Sequence, residues 1–320
     1  IITKKKNEDK QFFDSYYETA GKYNNSILLN YKHKNHIVSN LFSRNYFSGW
    51  SKNDVFSLLP RKEIADTNRV KEWKPKEQFS NKIEHYTKLN NINTRTYYEY
   101  FYEKITNKGA PQSSTSFATA FDDYYYTFRN NLGSEINTVK NDHQINSIIA
   151  YNNYKRIKNT FFKNLTDLTQ IILNDPSAQD TSYFNMIMWK TSITNNKKNR
   201  INYQFGVDLQ QQHAKGVRII NREQRQKDYA IFSNIEWNAT KNIVFRPGIR
   251  LIYNDKYTAP IIPAANLLFK KKYFQFRVSY AKGFRAPSLK ELFFEFVDVN
   301  HNIIGNSNLN AETSDNYRIS

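Results

Sequence analysis

The stretch INYQFGVDLQ, residues 201–210, decides the fold class of this chain. Its odd-numbered positions carry apolar side chains, and its even-numbered positions carry polar side chains or glycine. Because successive side chains of an extended chain point to opposite faces, this alternation is typical of a β-strand with one apolar and one polar face. The pattern therefore predicts a strand whose two faces meet different surroundings.

The same alternation recurs along the chain. Residues 243–253 have one apolar face, and Val244 and Ile252 interrupt the second, polar face only at its ends. Pro247 lies inside this segment, and because proline donates no ladder hydrogen bond we interpret it as a bulge or a strand kink. Patterning places about 12 strands at 26–34, 36–44, 78–88, 92–103, 121–138, 143–155, 181–191, 200–211, 228–238, 242–253, 264–270 and 273–282, with a further strand starting near Asn316.

The predicted connections alternate in length. Tight turns at 34–36 and 140–142 are each followed, one strand later, by long connections at 45–77 and 156–180. Short turns on one side and long loops on the other are typical of an outer-membrane barrel, whose apolar strand face meets lipid and whose polar face lines a wet lumen. A soluble antiparallel sheet with one solvated face is the alternative.

Composition excludes several classes of protein. The 320 residues include 16% aromatic residues, too many for a disordered chain, and no apolar run approaches the ~18 residues of a membrane helix. The absence of cysteine excludes disulfide frameworks, thiol nucleophiles and cysteine-ligated clusters. The six histidines are dispersed, and no nucleophile-elbow, metalloprotease, P-loop or dinucleotide motif occurs. We therefore expect neither an enzyme nor a bound cofactor.

The formal charge of +18 is spread along the sequence. Basic runs occur at 4–6, 71–76, 197–200, 222–227 and 270–272, and none accompanies a nucleic-acid-binding motif. We therefore expect no nucleic acid partner. Most of these charges are expected in solvated loops, and a basic outer surface would also suit anionic lipid or lipopolysaccharide.

The segment YAKGFRAPS, residues 280–288, is the most specific motif of the chain. Together with NSNL at 306–309 and AETS at 311–314, it resembles the TonB-dependent outer-membrane receptors, especially those of Bacteroidota-type bacteria. That family carries a Phe-Arg-Ala-Pro-Ser box, then Asn-Pro-x-Leu and Pro-Glu-x-Ser. The first box matches in full, whereas Ser307 and Ala311 stand where the family pattern has proline.

The resemblance implies an all-β fold, an antiparallel transmembrane β-barrel. The family barrel has about 22 strands around an N-terminal plug, and the present chain supplies about 12 or 13 of them by pattern. We therefore interpret 1–320 as one partial β-barrel domain, an internal fragment in which the plug and the closing strands are absent. The expected location is the outer membrane of a Gram-negative bacterium.

The function implied by the resemblance is that of a receptor and transporter for TonB-energised uptake of an iron complex, a ferric siderophore or haem. Expected partners are the TonB-ExbB-ExbD motor, acting through the missing plug, the iron complex itself, and outer-membrane lipid and lipopolysaccharide; a surface lipoprotein is left open. The alternatives are a glycan or cobalamin importer of the same family, or a soluble β-rich surface module that binds carbohydrate.

Three candidate ligand-binding residues lie in or after the matching box. His301 falls in the interval where haem receptors of the family carry a histidine, so the resemblance implies a haem-iron ligand; a merely solvated loop histidine is the alternative. Arg285 would be a fixed cation beside the ligand mouth, or would hold the Ala-Pro turn. Phe284, the preceding residue, is the third candidate.

Three further arginines are expected to line the lumen. Arg246, Arg250 and Arg277 occupy the polar face of their strands by the alternation argument. A focused positive potential from these side chains could draw anionic ferric complexes inward, or the arginines could pair with carboxylates of the plug.

Overall fold

The computed structural model describes residues 10–51, 69–113, 118–175, 178–195, 200–297 and 302–320. The elements in this part of the chain are β1 Lys10–Glu18, β2 Lys22–His33, β3 His36–Phe47, β4 Lys76–Leu89, β5 Ile92–Lys108, β6 Gln112–Ser113, β7 Ala118–Lys140, β8 His143–Asn164, β9 Gln170–Ile172, β10 Gln179–Asn195, β11 Ile201–Gly216, β12 Glu223–Asn238, β13 Ile243–Asn254, β14 Ile262–Lys271, β15 Phe274–Arg285, α1 Leu289–Phe293, β16 Glu295–Val297, β17 Asn302–Ile304 and β18 Glu312–Ile319. Among the described residues, no helix is both long enough and apolar enough to cross a membrane.

The chain divides into two compact units. The first comprises Ile1–His85, Tyr97–Leu132 and Asn153–Tyr183, and the second comprises Tyr86–Thr96, Gly133–Asn152 and Phe184–Ser320. In the first unit, the strands pair in the order β1, β2, β3, β4, β5, β7 and β8. In the second unit, the order is β10, β11, β12, β13, β14, β15 and β18, and every pair from β11 onward is antiparallel. The expectation of one domain over 1–320 stays a prediction.

The strand register of the second unit places apolar residues side by side. Val207 lies opposite Ile231, and Ile231 lies opposite Leu251. Ile231 is 56% exposed and Leu251 is 41% exposed, so no second layer within the described part of the chain covers these residues. Leaving apolar surface in water costs about 25 cal/mol per Å². An exposed apolar strand face of this kind is suited to contact with lipid.

Tight two-residue turns close several hairpins. Between β7 and β8, Asn141 has a φ of 47° and Asp142 a φ of 62°. Positive φ at both central residues is the type I′ geometry that matches the twist of paired strands, and Asn and Asp adopt it at low cost. These local sequences therefore fix where one strand ends and the next begins.

The predicted strands are confirmed, but the observed strands extend beyond their predicted bounds. All the strands predicted from 26 onward are present, and the predicted all-β antiparallel fold is confirmed. The strands extend beyond their predicted ends mainly beside the long connections. Residues 212–227, predicted as one loop, instead contain the end of β11 at Gly216 and the start of β12 at Glu223. Polar residues there continue the hydrogen-bonded ladder without the alternation that marks the apolar part of the strand.

Strand β1 was not predicted, because its sequence places aromatic residues on both faces. Phe12 and Phe13 are neighbours, as are Tyr16 and Tyr17, so the period of two is lost. Its pairing with β2 is nevertheless regular from Lys10 to Glu18.

The interpretation of Pro247 as a bulge is wrong. Gly248 lies opposite Asn234 and Phe245 lies opposite Trp237, so the offset between β13 and β12 is the same on both sides of the proline. The ladder to β12 is interrupted between these two pairs because proline has no N–H. On its other side, Pro247 keeps its place in the register with β14.

Candidate functional site

The matching box leads from β15 into the short helix α1, and a capping box fixes this transition. The Ser288 N–H donates to Glu291 Oε2 over 2.8 Å, and the Glu291 N–H donates to Ser288 Oγ over 3.3 Å. Two backbone donors at the helix start are thus satisfied reciprocally. Hydrogen bonds from the Ser288 N–H and hydroxyl, with the nearby Arg285 charge, hold the pKa of Glu291 below its ordinary value.

Helix α1 docks onto the loop that follows β11. Leu289 is 3% exposed and packs in a cluster with Ala214 and Ile219, which Phe184, Phe293 and Phe294 border. The Ile220 N–H donates to the carbonyl of Phe293 over 2.9 Å. Apolar packing and backbone hydrogen bonds therefore hold the box against a neighbouring connection.

Arg285 is held between two carboxylates. Its Nη2 lies 2.5 Å from Glu291 Oε1, and its Nη1 lies 3.0 Å from Glu312 Oε1. Glu312 starts β18 and is the register partner of Arg285. The side chain is 52% exposed, so the guanidinium is fixed in position and still accessible to solvent. Its expected role beside a ligand stays a prediction.

A polar cavity of about 230 Å³ lies beside this segment and is lined by residues of β11, β12 and β13. Arg250 and Phe284, two of the predicted residues, line it together with Asp208 and Asp228. Arg250 Nη2 lies 2.9 Å from Asp208 Oδ2. The cavity therefore combines a guanidinium, two carboxylates and an aromatic residue, a mixed lining rather than a uniformly cationic one.

An aromatic ring, that of Phe232, lies close to the guanidinium of Arg250. The guanidinium lies 5.8 Å from the centroid of Phe232, a separation at which a cation is attracted to a ring face. A Cβ at residue 206 would collide with that ring, so Gly206 makes room for it. Lys190 adds a second cation, with its Nζ 3.5 Å from Asp208 Oδ2.

The other two predicted lumen arginines differ from each other. Arg246 on β13 forms an ion pair with Glu236 on the neighbouring β12. Arg277 on β15 is exposed, and within the described residues it has no ion pair. The structure thus gives two of the three lumen candidates, Arg246 and Arg250, a carboxylate partner in the strands themselves. Pairing with a plug stays a prediction, as does the lumen-lining role.

His301 lies outside the described residues, so its expected role as a haem-iron ligand stays a prediction. Within the described ranges, no group of three or more histidine, aspartate or glutamate side chains could hold a metal ion.

The carboxylates that fix these arginines were not identified from the sequence. Asp208 lies on the polar face of residues 201–210, and the alternation of that segment was the one sequence signal that pointed to this residue. Its partner Arg250 is two strands away, at a register that the sequence does not show. Glu312 likewise meets Arg285 only through the pairing of β18 with β15.

The family model described as "TonB dependent receptor-like, beta-barrel" matches residues 49–320. No curated protein matches the chain. Among solved structures, the siderophore receptor PirA from Pseudomonas aeruginosa is similar with a TM-score of 0.62 and 11% identity, covering 96% of this chain and 50% of that one.

Two further structures are similar to the same degree. PirA from Acinetobacter baumannii gives a TM-score of 0.62 at 11% identity, over 97% of this chain and 49% of that one. A mutant of the ferric enterobactin receptor PfeA from Pseudomonas aeruginosa, in complex with enterobactin, gives 0.62 at 11% identity, over 96% and 50%. The chain spans about half the length of these structures, and at such identity the likeness shows the fold alone. With the family model covering most of its length, the chain belongs to the TonB-dependent receptor β-barrel family.

Proposed function

We propose that this chain is part of the wall of an outer-membrane receptor that imports an iron complex with energy from TonB. The observation that carries the proposal is the separation of the strand faces in the second unit, where exposed apolar rows alternate with a polar face that bears Arg250 and Asp208. A lipid-facing wall with a wet inner face requires this separation.

An iron complex as the cargo is supported by the charges of the polar face. Arg250 lines a cavity, Arg285 is fixed and accessible, and Arg277 is exposed. Ferric siderophore complexes are commonly anionic, and oriented guanidinium groups raise the local concentration of anions. The solved structures with the same fold are named as siderophore receptors, which supports the same cargo class by analogy.

Uptake of labelled iron tests this function. Cells that lack the protein are complemented with the gene and supplied with radioactive iron either as ferric enterobactin or as haem. We expect accumulation of one of the two complexes, and its loss when TonB is deleted. Accumulation that persists without TonB, or failure to accumulate either complex while the protein is present in the outer membrane, would contradict the proposal.

Single variants connect the uptake to the cavity. Arg250→Gln removes the cavity guanidinium and should lower uptake of an anionic complex about tenfold, the equivalent of about 1.4 kcal/mol. Arg225→Gln is the matched control, because Arg225 also pairs with a carboxylate, Glu223, and does not line the cavity. If haem is the cargo, His301→Ala should abolish its use. Equal effects of the two arginine variants would exclude a role for the cavity.

A further inference from the structure

The short connections of the second unit carry basic residues at one end of its strands. They follow β10, β12 and β14, and the described basic residues in these connections and at the end of β14 are exposed. We name this set the basic edge; its members are Arg200, Lys241, Lys270, Lys271 and Lys272.

The basic edge is continuous because neighbouring connections are hydrogen-bonded to each other. The Asn238 N–H donates to the Arg200 carbonyl over 2.8 Å, which joins the first connection to the second. The Lys270 N–H donates to the Asn242 carbonyl over 2.7 Å, which joins the second to the third. Five positive charges therefore lie along one edge of three adjacent hairpins.

These charges are not neutralised by the strands that bear them. Within the described residues, no member of the basic edge forms an ion pair with a carboxylate. At the opposite end of the same strands, two of the basic residues are paired: Arg285 with Glu291 and Glu312, and Arg225 with Glu223. The unneutralised charge at the basic edge points to an anionic partner.

Aromatic side chains accompany the basic edge. Tyr273 is 86% exposed, and Lys272 Nζ lies 5.3 Å from the centroid of its ring. Phe274, the register partner of Lys271, and Trp237 are also exposed. Lysines beside exposed aromatic rings are typical of the level at which a membrane protein meets lipid headgroups. The chain belongs to a membrane β-barrel family, so lipid is the anionic partner that these rings and charges would meet.

We propose that the basic edge binds the phosphate-bearing headgroup of an anionic glycerophospholipid in the leaflet that faces the short connections. The proposal rests on the membrane placement of the family and not on the cargo, so it can fail while the uptake function stands. Each basic residue near an anionic surface contributes about 1 kcal/mol, which corresponds to about a fivefold change in affinity.

Lipid titration tests the proposal. The protein in a neutral detergent is titrated with phosphatidylglycerol or with phosphatidylcholine, and bound lipid is counted by native mass spectrometry. We expect preferential retention of phosphatidylglycerol, weakened at least fivefold in Lys271→Gln/Lys272→Gln and falling as salt rises. Lys215→Gln/Lys227→Gln is the matched control, with the same charge change at the other end of β11 and β12 and no expected effect.

Several outcomes would overturn the proposal. Equal retention of the two lipids, equal loss in the test and control variants, or displacement by inorganic phosphate at the lipid concentration would each do so. Tighter binding of single-stranded DNA than of phosphatidylglycerol would also contradict it. Lys271→Arg/Lys272→Arg guards against a folding defect: it should retain the lipid, and loss of binding with an unchanged β-type circular dichroism spectrum would count against the proposal.

Discussion

Each unit contains an arginine clamped by carboxylate oxygens, and the two sites differ in burial. In the first unit, Arg69 Nη2 lies 2.7 Å from both oxygens of Asp122, and the two side chains are 0% and 1% exposed. In the second unit, Arg285 lies between Glu291 and Glu312 and is half exposed. The same chemistry is therefore a structural contact at one site and an accessible charge at the other.

The two sites differ because a buried and an exposed guanidinium differ in hydration. A buried guanidinium has lost its water, so removing its partner leaves a charge that nothing replaces. An exposed guanidinium keeps most of its hydration, and water replaces a lost carboxylate at little cost. Only the accessible arginine can exchange a protein carboxylate for an anionic ligand, which favours Arg285 over Arg69 as a functional residue.

The largest expected effect is at the buried site. Asp122→Ala should lower the free energy of unfolding by about 3–5 kcal/mol, because Arg69 would remain buried without the carboxylate of Asp122. The Gly109 N–H donates to the Phe121 carbonyl over 2.9 Å and to Asp122 Oδ1 over 3.2 Å, and it would lose the second of these acceptors. Urea unfolding in a fixed detergent measures the change.

A double variant separates the ion pair from simple packing. Arg69→Met/Asp122→Leu removes both charges together and should recover most of the lost stability. A double variant as unstable as Asp122→Ala would show that shape, and not the loss of the Asp122 carboxylate from Arg69, dominates this site.

The second-largest effect is expected in helix α1, which lies beside the exposed Arg285. Leu292 of α1 is 1% exposed, so Leu292→Ala should cost about 2–5 kcal/mol locally and release the helix from its neighbours. Amide hydrogen exchange should rise in residues 288–295 and stay unchanged in β13. Leu309→Ala, at a site that is 37% exposed, is the control and should leave exchange in α1 as it is.

The sequence predicts the strands better than the contacts between them. Alternation identified β11 and β13 because each residue there reports its own face, and the box at 284–288 identified the family. Asp122 gave no such signal: it lies in a mixed aromatic and acidic run, and its partner Arg69 is far away in the sequence. Cross-strand partners depend on register, which a single sequence does not encode locally. The clamped arginines therefore become visible only with the fold.

The smallest effect is the pH response of the exposed site. The pKa of Glu291 is lowered in the folded protein, so its contribution to holding α1 is complete above the ordinary glutamate pKa and is lost as pH falls through the folded value. Exchange of the 288–294 amides, corrected for intrinsic rates, should increase between about pH 5 and pH 3. Glu291→Gln should show fast exchange at both values, because the neutral amide keeps neither the full capping interaction nor the charge that pairs with Arg285. A Glu291→Gln variant that still loses protection on acidification would show that the titrating group is not Glu291, and the exposed arginine site would then not be the source of the pH response.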